Sequence, residues 1–527
     1  MKAAIASGVL SLLLSLLLAG QAAAAPAPEI PRLVTDAGGT TRLIVDGKPF
    51  VALGGELGNS NASHLAVTKP LFAKLAAMKL NTVLVPVSWE LVEPAEGKYS
   101  FGLVGDLVRE ARRNKLRVVL LWFGSWKNGM SSYVPAWVKT NVERFPRAEV
   151  KGGRRVEALS VFSSANLQAD ARAFTELMRY LRAIDGREHT VIMVQVENEV
   201  AMIDEAMDRS AAAQSAFAAP VPKDLLDRFP VKKPGTWEQV FGRGAATEEM
   251  FMAWHYARYV GAVARAGKVA YPLPMLTNAA LNRPGKQPGQ YPSAGPLPHL
   301  FEAWKAGAPS LDLLAPDIYL PDFVAWCDRY QRPGNALFIP EARNEGDAAV
   351  HALYAIGRGA IGFSPFDVED TAGAAAAALT KTYATLTDLG PLIAAAGPGK
   401  MAGVLFDKEH PNTTLRFGDL VLTVGHDYTF EWASPARYDP TWPRSGGLVI
   451  EIAPGEFVVE GNGIIVTFAA ADPKVTTGIE RVDEGRVANG KFVVTRRLNG
   501  DETHQGRHLR LPMGALGVQR VKVYSFK

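Results

Sequence analysis

A single cysteine, Cys327, in a chain of 527 residues excludes an intrachain disulfide and any metal site built on clustered thiolates. A large excess of charge of one sign is lacking too. The formal net charge is +4, with lysine and arginine scattered along the chain. Nucleic-acid binders gather basic residues on one face, so no nucleic-acid partner is expected. No Gly-x-Gly-x-x-Gly succeeds the first strand pattern and there is no phosphate loop, which counts against an open doubly wound sheet. Beyond the N-terminus no segment reaches the roughly 20 apolar residues that a membrane span requires.

The N-terminus is the one long apolar tract. Lys2 precedes an apolar run from Val9 to Leu18, and Gly-Gln-Ala-Ala-Ala-Ala25 then supplies small residues. That order predicts a secretory signal peptide over residues 1–25, cut after Ala24 or Ala25. Pro26-Ala-Pro28 and polar sequence come immediately after, so no membrane anchor is expected after cleavage. The mature protein is expected in the periplasm or secreted.

Past residue 50, strand and helix patterns alternate. Predicted strands are Phe50 to Glu56, Asn81 to Val87, Arg117 to Trp122, Thr190 to Val196, Leu273 to Asn278, Leu313 to Tyr319, Ala336 to Glu341 and Ala360 to Phe363. Leu103 to Ala111, Asn166 to Ile184, Thr247 to Ala266 and Ala348 to Ile356 carry the three-and-four apolar spacing of helices. Eight such units predict an α/β fold, a (β/α)8 TIM barrel over residues 26–388. The stretches 123–160 and 201–243 are expected as loops above it. From about Leu389 short alternating runs take over, including Leu420 to Val424, Tyr428 to Trp432, Gly463 to Phe468 and Val518 to Tyr524. These predict an all-β sandwich or jelly roll over residues 389–527.

Chemistry concentrates where apolar runs end in acids. Thr190-Val-Ile-Met-Val-Gln-Val196 leads into Glu-Asn-Glu199, and Ala336-Leu-Phe-Ile-Pro340 leads into Glu341. Carboxylates rarely close buried strands unless they are paired or useful. Barrel strand ends share one mouth, so Glu56, Glu199, Asp317, Tyr319 and Glu341 are expected near one another. Two carboxyl groups at one mouth are the parts needed to cleave a glycosidic bond. One attacks the anomeric carbon, while the other protonates the leaving oxygen and later activates water. Asn198 is placed to hold a sugar 2-hydroxyl, and Tyr319 to orient a carboxylate. In Trp122-Phe-Gly-Ser-Trp126-Lys-Asn128, Trp126 is expected to stack on a sugar ring and Lys127 and Asn128 to bind hydroxyls. Trp137 reads as packing.

Each acid also has a structural reading as a strand-end ion pair. On spacing alone Glu197 competes with Glu199, because strict alternation puts both on one face. Acids also hold divalent cations. No close His/Asp cluster supports that chemistry, so no metal and no cofactor is expected.

Further motifs carry a resemblance: Asn81-Thr-Val83, Trp89-Glu-Leu-Val-Glu93-Pro94, Gly97, Pro135-Ala-Trp137 and Val194-Gln-Val-Glu-Asn-Glu199. With them the chain resembles the β-galactosidases of glycoside hydrolase family 35, in a bacterial branch bearing an extra C-terminal β domain. The resemblance runs from about Phe50 to Asp367. It implies that Glu199, not Glu197, is the acid/base, and that Glu341 in Phe338-Ile-Pro-Glu-Ala-Arg343 is the nucleophile. Gly124-Ser-Trp-Lys-Asn128 and Val518-Gln-Arg-Val-Lys-Val-Tyr524 are similar to the branch with the extra domain.

Two positions depart from the family pattern. Asn128 stands where many members carry a carboxylate that grips galactose, and Pro86 stands where a tyrosine is usual. The resemblance implies an exo-acting retaining β-galactosidase acting on galactosylated oligosaccharides, in this branch those of plant xyloglucan. A β-glucosidase or α-L-arabinopyranosidase using the same pair is the alternative, and a non-catalytic glycan-binding protein the more distant one. Trp432, Tyr438 and Trp442 are candidates for a sugar platform or for domain packing.

Overall fold

The computed structural model describes residues 29–230, 233–430, 440–488 and 490–527. The expected signal peptide, Trp432 and Tyr438 lie outside these residues. Eight parallel strands form one sheet, named here β1 (Ala52–Leu53), β2 (Thr82–Ser88), β3 (Arg117–Lys127), β4 (Val191–Asn198), β5 (Met275–Ala280), β6 (Leu313–Ile318), β7 (Phe338–Ala342) and β8 (Gly362–Pro365). From β2 to β8 each strand pairs with its sequence neighbour, and β8 returns to β1. Glu56 bridges Leu84 in parallel, which joins the first strand to β2 and closes the barrel. Closure removes the free edges that an open sheet exposes.

Alternation along the strands divides two apolar layers. On β3, Val119, Leu121 and Phe123 face the barrel interior with Leu84, Met193, Leu276, Ala315 and Phe338. Val118, Leu120 and Trp122 face outward into the layer shared with the helices. An N-terminal antiparallel sheet (Arg32–Thr35, Thr41–Val45, Lys48–Phe50) inserts Leu43 and Val45 into the interior cluster. That plug leaves the opposite end, where the strands finish, as the open mouth.

The helix patterns read from the sequence appear as Gly102–Arg113, Ser164–Asp185, Ala245–Ala270 and Ala348–Gly357. Helices Leu65–Ala77, Phe301–Gly307 and Phe323–Tyr330 were not anticipated. Leu65–Ala77 has a weak apolar stripe and Pro70 inside it. The helix Gly373–Ala395 runs through the expected division at residues 388/389, carrying Pro391 within it, and the first strand after it begins at Met401. The stretch 201–243 is not a bare loop, because it contains helices Ala211–Ala218, Lys223–Leu226 and Trp237–Phe241.

The C-terminal part is a sandwich of a six-stranded and a four-stranded sheet. Phe406, Phe417, Leu422, Val449, Phe457, Ile464 and Val466 fill the space between them. Tyr428 lies in a single 3-10 turn (Asp427–Thr429), not in the expected strand beginning there. Trp442 packs on the rings of His426 and Tyr428. Among the described residues no helix is long and apolar enough to cross a membrane.

Barrel and sandwich meet backbone to backbone. A Cβ on Gly403 would lie 2.2 Å from the carbonyl oxygen of Tyr354, and one on Gly357 would lie 2.6 Å from the Cα of Gly403. Neither neighbour is a side chain that can swing aside. Gly403→Ala is therefore expected to destabilise the protein by about 1–3 kcal/mol, as overpacking typically does, read as a lower thermal unfolding midpoint.

Candidate active site

In-register parallel pairing brings the strand ends together, and Asp317 on β6 stands directly opposite Glu341 on β7. Glu199 comes just after β4 with its own φ at 45°, a left-handed conformation that a residue with a Cβ adopts at some cost. Its amide N–H is held by the Oδ1 of Asn278, at 3.0 Å. With that anchor, carboxylate oxygens of Glu199, Asp317 and Glu341 all lie within 4.8 Å of one another, and all three residues are buried.

Asn278, near the end of β5, is the hub. Its Nδ2 donates to Asp317 Oδ2 at 2.8 Å, and more loosely, at 3.3 Å, to Glu341 Oε1 and to Asn198 Oδ1. Asn198 Oδ1 also accepts from Gln195 Nε2, while its own amide donates to Asn128 Oδ1. Tyr319 donates its phenol O–H to the other Glu341 oxygen at 2.8 Å. Asn278 was not among the expected site residues. The signal was available, since it closes an apolar strand just as the glutamates do.

Glu56 is fully buried, and neither of its carboxylate oxygens meets a hydrogen-bond donor. Burial, joined by the charges of Glu341, Glu199 and Asp367, pushes its carboxyl well above the usual range, against the pull of Lys127. Asp317 is raised in the same way by burial and by Glu341 and Glu199. Glu341 is pushed up to about 7 by burial. Lys127 and the Tyr319 bond oppose that rise, while Glu199 adds to it. Lys127 answers from the other side. Burial alone would lower its ammonium pKa, but Glu341, Glu56, Glu199 and Asp317 outweigh that and raise it. The three clustered oxygens are spaced as a cation's ligands could be. Lys127 already supplies positive charge beside them, and we assign them no metal.

Two expectations are corrected. Trp126 has no exposed surface. Its ring packs edge-on against Tyr256 and Tyr259 and its indole N–H points to the Leu159 carbonyl, so it offers no face to a sugar. Glu197 does not share a face with Glu199. Its φ of 61° breaks the alternation, and its carboxylate turns outward to take the Trp126 amide N–H at 2.8 Å. Asn128 stays at the mouth, exposed and bonded to Asn198. The Trp89–Glu93–Gly97 motif is scaffold. Glu93 accepts from the Trp89 indole and the Gly97 amide, and its carbonyl accepts from the Trp137 indole. Trp137 packs against Trp89 and Phe145.

Residues 42–255 match the family described as Glycosyl hydrolases family 35, and residues 379–510 match a domain of unknown function, DUF5597. The chain is 32% identical over 195 residues to a beta-galactosidase of Xanthomonas manihotis. That alignment covers 36% of this chain and 29% of the relative, so the chain spans under a third of that protein's length. Solved structures similar to it include the beta-galactosidase of the psychrophilic Marinomonas ef1, at 12% identity and TM-score 0.47, covering 64% of this chain and 60% of that one. The beta-galactosidase of Bacillus circulans sp. alkalophilus is similar at 14% identity and TM-score 0.47, covering 65% and 57%.

The raised carboxyl of Glu341 has a stability consequence. The folded state holds that proton up to about pH 7, whereas an exposed glutamate releases it near 4.5. The favourable contribution is complete below 4.5 and is lost as pH rises through 7, where a buried charge remains. Glu341→Gln is expected to unfold at a higher temperature than wild type above about pH 7, with the difference vanishing near about pH 4 in thermal melts.

Proposed function

We propose that the protein is an exo-acting retaining β-galactosidase, a reading supported by the match of residues 42–255 to the glycosyl hydrolases family 35. Glu341 lies outside the matched segment, so its role rests on geometry. The observation that carries the reading is the approach of Glu199 and Glu341, whose carboxylate oxygens come within 4.8 Å. Retaining glycosidases hold the two carboxyl groups about 5–5.5 Å apart, while inverting ones leave about 6.5–9.5 Å for a water.

In this reading Glu341 attacks the anomeric carbon and forms a glycosyl ester. Lys127, the Tyr319 hydroxyl and the Asn278 amide favour its ionised form and aim it. Glu199 donates its proton to the departing oxygen. It then takes a proton from the water that attacks the ester, which returns Glu341 as a carboxylate with the anomeric configuration retained. Asn198, buried beside the pair, is assigned the 2-hydroxyl and Asn128, exposed at the mouth, a further hydroxyl, while fully buried Glu56 acts on the cluster through its charge.

The substrate proposed is a terminal β-D-galactose on an oligosaccharide, including those of plant xyloglucan. Export to the periplasm or beyond, supported by the Lys2 and Val9–Leu18 pattern, suits that substrate. Rates on aryl β-galactoside, β-glucoside and α-L-arabinopyranoside decide the sugar. The first is expected to be fastest, and a faster second or third would replace it. Glu341→Gln is expected to abolish turnover while leaving the fold intact by circular dichroism. NMR of early product is expected to show β-galactose, and α-galactose first would overturn the two-step route. Tyr319→Phe removes a bond that favours the Glu341 carboxylate. The acid limb of its kcat/KM profile is therefore expected at higher pH than in wild type.

A further inference from the structure

The strand that brings Lys127 and Asn128 to the mouth leaves its partner to do so. Along β3 and β4, Trp122 pairs with Val196, and the next pair is Lys127 with Asn198. Four residues, Phe123–Trp126, therefore face a single one, Glu197. Bulges of this kind re-aim side chains beside sites, and they leave backbone donors without ladder partners. Here the donors find two acids. Trp126 N–H bonds Glu197 Oε2 at 2.8 Å. Asp170, from the helix Ser164–Asp185, takes the Ser125 N–H at 3.2 Å, the Ser125 hydroxyl at 2.6 Å and the Trp122 indole at 2.9 Å. The Ser125 hydroxyl oxygen in turn accepts from the Tyr259 phenol at 2.7 Å.

The second oxygen of Glu197 has no N–H or O–H donor, though it is buried. Its neighbour across the gap is Asp170. A Cβ built on Gly124 would lie 2.6 Å from Glu197 Oε1 and 2.9 Å from Asp170 Oδ1, so both oxygens border the same small space. Two ionised carboxylates do not share such a space without a proton or a cation. No basic side chain is among the groups bonded to either acid.

We propose that Glu197 is protonated, that its O–H donates to Asp170, and that this neutral-plus-charged acid pair is the positioning device that holds the β3 bulge and with it Lys127 and Asn128. Burial first, and the Asp170 charge second, push the Glu197 carboxyl well up, in keeping with the geometry. The left-handed φ angles at Asn128, Glu197 and Glu199 are the backbone cost of the same arrangement. With the shared proton in place, Asp170 accepts from the Trp122 indole, the Ser125 amide and hydroxyl and Glu197, and both acids are satisfied.

The proposal rests on Glu199 and Glu341 being the cleaving pair, and two measurements keep the two readings apart. The first is kinetic, on aryl β-galactoside. Glu197→Gln keeps a donor toward Asp170 and an acceptor toward Trp126, so it is expected within about threefold of wild type. Glu197→Ala and Asp170→Asn are expected to lose at least about tenfold in kcat/KM per folded enzyme, with KM raised as Lys127 and Asn128 lose position. In Asp170→Asn the new amide would turn a donor toward donors. A merely structural role would lower the melting temperature without that KM change. Glu197→Gln as impaired as Glu197→Ala would show that a carboxylate is needed at 197 and would overturn the proposal, as would a fully active Glu197→Ala. The second measurement is infrared difference spectroscopy at about pH 7. It is expected to show a protonated-carboxyl carbonyl stretch in wild type that Glu197→Gln lacks. Wild type and Glu197→Gln with the same protonated-carboxyl bands would overturn the shared proton. This arm needs no turnover, so it stands even if the galactosidase reading fails.

Discussion

One buried ammonium answers for several buried acids. Lys127 feels Glu341, Glu56, Glu199 and Asp317 together, and each of the raised carboxyls among them is raised because water is gone before its neighbours are counted. A single positive charge cannot neutralise that many carboxylates, so the cluster must retain protons at neutral pH. Glycosidic cleavage by double displacement requires that state, with one acid ionised and another protonated within reach. The barrel, the plug at its base and the bulge on β3 together bring this uncompensated charge to one place and keep it dry.

The architecture carries that burden unevenly. Closure through Glu56 and Leu84 lets the first strand contribute an acid from a segment only two paired residues long. The hairpin plug carrying Leu43 and Val45 completes the apolar interior from below, so the polar cluster has to gather at the other end. Part of the backbone strain falls at the site, where Glu197, Glu199 and Asn128 all adopt positive φ without being glycine. Such conformations persist only where the surroundings over-determine them. Here the surroundings are specific hydrogen bonds, from the Glu199 amide to Asn278 and from the Trp126 amide to Glu197.

Two buried acid groups lie on opposite sides of β4. The inner one, with Glu199, faces the mouth, and the outer one, Glu197 with Asp170, faces the helix layer. Glu197 and Glu199 are two residues apart in the chain yet have different surroundings, because the left-handed turn at Glu197 sends its side chain away. The contrast also explains why neighbouring residues of the same segment divide. Trp126 is committed to the outer layer with Tyr256 and Tyr259, while Lys127, the next residue, reaches the mouth.

The alternation of strands and helices, the order of the eight strands and the acids that end β4 and β7 were all legible in the sequence. Period-2 and period-3.6 patterns report on burial, and a charged residue that breaks an apolar run is conspicuous. Tyr319 could be named from its place two residues past Asp317, and Glu56 from its place after β1. Tertiary structure alone decided the rest. Whether Glu197 or Glu199 faces the mouth depends on a backbone turn that alternation does not encode. Trp126 became core because a bulge, invisible to periodicity, rotates the strand beneath it. Asn278 became the hub because several strand ends converge on its amide, across sequence separations of 80 and 63 positions that no local pattern contains. Local periodicity specifies which residues are buried. Only closure of the barrel specifies which buried polar groups meet.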